Sequence, residues 1–110
     1  MKEIKAIVRP VRLDDLREAL RQQPGFPGMT VLDAQGCSAP ARHQPHSLRE
    51  ELLDYSPKVR IEIVAGDEHA DALYETVLRV GTTGHVGDGI VWMTEVARCD
   101  YLWRPGTEAP

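Results

Sequence analysis

The chain has 110 residues, of which 42% are hydrophobic and 27% charged, with a formal net charge of −4 at pH 7. That length predicts one domain, residues 1–110, with a modest core for which self-association is a further source of burial. The acidic balance excludes the basic footprint that nonspecific nucleic-acid binding needs, and no run of about 18 apolar residues is present to span a bilayer.

Met1-Lys2-Glu3-Ile4-Lys5 begins an alternating pattern at once, without the apolar block of an export signal, so a cytoplasmic chain is expected. Cys37 and Cys99 form neither a CxxC pair nor a staple framework, which fits a reducing compartment. Residues 3–9 set Ile4, Ala6 and Val8 against Glu3, Lys5 and Arg9, the period-2 signature of a half-buried strand. Leu13, Leu16 and Leu20 then recur at helical spacing over residues 13–22, with Asp14 and Asp15 in the first turn and Pro24-Gly25 as the stop. Residues 29–35 read as a second strand closed by Gly36. Residues 37–56 mix proline, small polar and charged residues without a sustained period, and are expected to be a long mobile loop in which SLREELL forms at most a turn or two of helix. Residues 58–65, KVRIEIVA, alternate as a third strand. Asp67 is placed as the cap of a second helix with Ala70, Leu73, Val77 and Val80 on one stripe, ending at Gly81. After the glycine-dense TGHVGDG comes a fourth strand over 90–97, and residues 103–110 are expected to be a flexible tail. This order implies an α+β, ferredoxin-like βαββαβ fold. It has a four-stranded antiparallel sheet, both helices on one face, and an open apolar face available to other subunits.

The glycines of TGHVGDG serve either a tight turn or the close approach of a ligand, and the loop alone does not choose. Its context does. AIVRPVRLDDLREAL, GMTV, PKVRIEIV, TGHVGDG and EVAR, in order and at these spacings, closely resemble the PII signal-transduction family over about the first 100 residues. The resemblance implies a homotrimer with nucleotide sites between subunits. It also implies a T-loop, matching residues 37–56, that docks on a protein target, with a membrane transporter among the candidates. Thr83, Gly84, Gly87, Asp88 and Gly89 match the B-loop of that family (residues 82–89 here), whose backbone N–H groups surround phosphates. Gly28, Met29, Thr30, Gly36, Glu62 and Val64 match the surroundings of adenine and ribose, and Lys58 also stands at a matching position. The implied cofactor is an adenine nucleotide.

The departures fall on phosphate chemistry. Cations of the family pattern are replaced by Ala39, Ile90, Tyr101 and Trp103, while His85 and Arg104 offer partial compensation. AMP or ADP is therefore expected to bind ahead of ATP, because each outer phosphate loses its charge-assisted partner. Cys37-Ser38-Ala39-Pro40 lacks the amide that would hold magnesium and 2-oxoglutarate, and Tyr55 is too near the third strand to serve as a loop modification site. His43 and His46, with Cys37, are metal-ligand candidates, which gives the alternative of a metal-responsive trimer of the same fold without nucleotide. His69, near the start of the second helix, is expected to be solvated. No nucleophile–base pair with a positioned orienter can be read, so catalysis is not expected.

Overall fold

The computed structural model describes residues 1–37, 55–85 and 87–103. The alternating segments form the strands expected of them. β1 (Lys2–Val8) buries Ile4, Ala6 and Val8, and β3 (Ser56–Ala65) buries Val59, Ile61, Ile63 and Ala65. They pair antiparallel with Ile4 opposite Ile63 and Ala6 opposite Ile61, so both apolar rows share one face. β4 (Gly89–Glu95) lies on the other side of β1, with Met93 opposite Ile4, and β2 (Thr30–Gly36) lies along β3, with Thr30 opposite Glu62. The sheet order is β2-β3-β1-β4, and every adjacent pair is antiparallel.

A 3-10 turn, Pro10–Arg12, leads into α1 (Leu13–Arg21), which contributes Leu16 and Leu20 to the core; α2 (Asp67–Gly81) contributes Leu73 and Val77. Both helices thus cover the same face of the sheet, and each large side chain fully buried there stabilises the fold by roughly 1.5–3 kcal/mol. Arg12 ties the helices together. Its Nε and Nη2 donate to the Val80 carbonyl at 3.0 and 2.9 Å, satisfying the C-terminal end of α2, while Nη1 reaches Asp15 at 3.0 Å.

Several sequence expectations are corrected. The fourth strand spans Gly89–Glu95 rather than 90–97. The N-cap of α2 is Gly66, not Asp67, and it makes no side-chain capping bond. The Asp67 carboxylate instead faces the Met1 ammonium at 2.9 Å, a charge partner that local spacing did not reveal. His69 is half-buried rather than solvated: its imidazole lies over Gly25, whose φ of 75° and missing Cβ make the room. The open face of the sheet is mixed, not apolar. Ile7, Leu32, Val64, Ile90 and Trp92 share it with the ion pairs Lys5–Glu3 (3.2 Å) and Arg60–Glu62 (2.9 Å), and the Arg60 Nε is buried there with no hydrogen-bond partner among the described residues. Met93 has the opposite parity and packs against the core. At the β2 edge, Asp33 stands opposite Val59, on the helix side, yet is exposed.

Candidate functional site: the loop before the fourth strand

α2 ends at Gly81, and the chain crosses to β4 through Thr82–Asp88, a segment organised by one carboxylate. Asp88 Oδ2 accepts from the backbone N–H groups of Thr83 (2.7 Å), Gly84 (3.0 Å) and His85 (3.2 Å). Its Oδ1 accepts from the Thr83 hydroxyl and from Arg9 Nε at 3.1 Å. Burial alone would push this carboxyl up, but the Thr83 hydroxyl and amide, Arg9 and the His85 amide outweigh it and hold Asp88 well below the usual carboxylate range. Three of the loop's N–H groups are therefore committed to an anion that belongs to the chain itself.

The glycines are explained in part by backbone geometry. Gly89 has a φ of 118°, and a β-carbon there would overlap the Ile7 carbonyl of the neighbouring strand. Gly87 has a φ of 91°, with an Arg9 guanidinium nitrogen 3.3 Å from where its Cβ would be. A Gly87→Val substitution would thus strain the backbone whether or not a ligand approaches, and does not test ligand binding cleanly.

Two cations stand behind the loop. Arg9, just past β1, is largely buried against Asp88, and Lys58 Nζ, from β3, donates to the Gly87 carbonyl at 2.6 Å. The Lys58 stem lies over Gly36, within 3.1 Å of where a Cβ would be, so Gly36 and Gly87 are brought to one place. The alternating pattern marks Arg9 only as a strand residue. The available signal was its parity with Lys5 and Ile7, but its partner lies 79 positions away.

The remaining candidates lie elsewhere on the sheet. Gly28, Met29 and Thr30 are at the start of β2, and Glu62, opposite Thr30, is engaged by Arg60; Val64 is two residues further along β3. Thr30 and Gly36 are six strand residues apart, roughly 20 Å, and β2 is separated from β4 by three strand spacings, roughly 14 Å. One chain thus brings together Gly36, Lys58, Arg9 and residues 83–85 and 87–89, and holds Gly28, Met29, Thr30, Glu62 and Val64 apart from them. Ile90 is 62% exposed beside the loop. Tyr101 and Trp103 stack with ring centroids 5.5 Å apart. His43, His46, Ala39, Arg104, most of the 37–56 loop and the end of the tail lie outside the described residues. Cys37, at their border, is exposed; among the described residues no group of three or more His, Cys, Asp and Glu side chains is arranged to hold a metal ion. Nor is any described helix long and apolar enough to cross a membrane.

The strand order, the two helices on one face and the carboxylate-closed loop feeding the edge strand define a ferredoxin-like α+β protein. The chain belongs to the nitrogen regulatory protein P-II family, whose profile matches residues 1–106. It is 41% identical over 109 residues to nitrogen regulatory protein P-II 1 of Escherichia coli (strain K12), covering 98% of this chain and 96% of the relative. The nitrogen regulatory protein P-II of Klebsiella oxytoca gives the same figures, and that of Rhizobium meliloti (strain 1021) is 38% identical over 97 residues, covering 87% of this chain and 86% of the relative. The chain is thus a member of a family of regulatory signalling proteins.

Proposed function

We propose that this protein is a homotrimeric regulator that binds an adenine nucleotide between subunits and acts on a protein target through residues 37–56, a membrane transporter being one candidate. The observation that carries this reading is the division of the candidate residues. The loop, Arg9, Lys58 and Gly36 form one cluster, whereas Gly28, Met29, Thr30, Glu62 and Val64 form another about 20 Å along the sheet. A site completed by a second copy unites them. The half-apolar open face, with the orphaned Arg60 Nε, favours such packing.

AMP and ADP are preferred over ATP in this reading. Ile90, Tyr101 and Trp103 offer no cation, and each missing charge-assisted hydrogen bond costs about 1.5–3 kcal/mol. Calorimetry with AMP, ADP and ATP, the last with and without magnesium, checks the preference, and light scattering at micromolar concentration checks the assembly. Three times the chain mass is expected, with affinity flat or falling from ADP to ATP. A monomeric mass removes the shared site, and ATP with magnesium binding tightest by about tenfold removes the cation-loss argument.

A further inference from the structure

The protons of the loop can be counted, and the count singles out His85. Asp88 is an ion-paired carboxylate that can only accept, so the single proton of the Thr83 hydroxyl is committed to Asp88 Oδ1. Thr83 Oγ1 also lies 3.1 Å from Nδ1 of His85. With the hydroxyl proton already used, that contact is a hydrogen bond only if Nδ1 carries the proton and donates to Thr83 Oγ1. A neutral imidazole holds one ring proton, so Nε2 is bare, and among the described residues nothing bonds it. The His85 side chain is exposed, and its own backbone N–H is anchored on Asp88. The ring is therefore fixed at one nitrogen and open at the other, at the mouth of a loop three of whose amides are already in use.

We infer that His85 is a proton-gated anion ligand, presenting a lone pair to phosphate when neutral and an N–H donor with a positive charge when protonated, so that the affinity of this loop for phosphate-bearing ligands rises as pH falls. The inference rests on the nucleotide reading and adds to it a specificity-determining residue. The other charged groups around the loop have fixed duties. Asp88 is saturated, Arg9 from the end of β1 is bonded to Asp88, and Lys58 from β3 is bonded to the Gly87 carbonyl. Arg12 is bonded to the Val80 carbonyl and to Asp15. Within this set the imidazole is the group that can gain or lose a proton without breaking one of these bonds, because its Nε2 is open while the arginine and lysine donors are held on their partners.

Two measurements test this. Long-range proton–nitrogen NMR of the ligand-free protein at about pH 8 should show His85 with Nδ1 protonated and Nε2 bare; the opposite tautomer overturns the proton count without touching the nucleotide reading. Calorimetry with ADP at about pH 5.5 and about pH 8 should show tightening at the lower pH, with the nucleotide's own protonation cancelled by comparison with His85→Gln and His85→Lys. Wild type should gain about fivefold to tenfold more than His85→Gln across that range, and His85→Lys should bind at pH 8 as wild type does at pH 5.5. The same pH profile in wild type and His85→Gln overturns the inference alone. If ADP binds none of the three proteins at either pH, the nucleotide reading fails and this inference fails with it.

Discussion

Asp88 shows how far a single side chain can determine what a loop is able to do. Its two oxygens collect three amides, a hydroxyl and a guanidinium, so Thr83, Gly84 and His85 are gathered around an internal negative charge. Gly89 is the other fixed point, because the chain leaves the loop pressed against the Ile7 carbonyl at positive φ. Gly89→Ala should therefore destabilise the fold by about 3 kcal/mol or more in urea unfolding, through both backbone strain and overlap with β1. Gly84→Ala is the matched control. It has a φ of 85° but open space around the missing Cβ, so only the left-handed conformation is penalised, by about 1 kcal/mol. Equal losses at the two positions would show that the contact with β1 adds nothing. The motif TGHVGDG announces a loop that needs glycine. It does not announce that its aspartate takes three of the amides, since that depends on how the loop folds back on itself.

At the scale of elements, Arg12 links the 3-10 turn, α1 and α2. Two of its nitrogens converge on the Val80 carbonyl, a geometry that needs a planar guanidinium. Arg12→Ala should lower stability by about 1–2 kcal/mol, and Arg12→Lys should recover less than half of that loss, since an ammonium replaces the fork with a single point of contact. Equilibrium urea unfolding of the three proteins gives the comparison, and full recovery by lysine would reduce the role of Arg12 to charge alone. The elements themselves were legible because β1 and β3 alternate cleanly and the leucines of α1 and the aliphatic stripe of α2 repeat at helical period. What periodicity does not encode is contact across the fold. Asp67 looked like a cap because its partner, Met1, is distant in sequence, and His69 looked solvated because the glycine beneath it belongs to the connection after α1. The Arg9–Asp88 and Lys58–Gly87 contacts escaped local reading for the same reason. The resemblance named the loop, whereas the cations behind it emerge only when the β1–β4 and β1–β3 registers are set.

For the whole molecule, the sheet divides its surroundings in three. The helix side is a closed core, the open face mixes aliphatic groups with paired charges, and the two outer strands leave main-chain groups along their margins. On the β2 margin Val31 and Leu32 are both partly open to solvent. A sheet margin of this kind can recruit the same strand from another molecule without limit, and the sequence TVLDA interrupts its apolar run with the charge of Asp33 on the side where the core of a second sheet would have to form. Desolvating that carboxylate opposes strand-to-strand stacking. Asp33→Val should leave the unfolding midpoint in urea nearly unchanged, because the position is exposed, while converting residues 30–34 into an uncharged run with three β-branched residues. Turbidity and thioflavin fluorescence on warm incubation at high concentration should then appear sooner than in wild type, and equal lag times would remove Asp33 from the account. A shorter lag in Asp33→Val would make one carboxylate on an outer strand a determinant of shelf life in the test tube and of the crowding the protein tolerates.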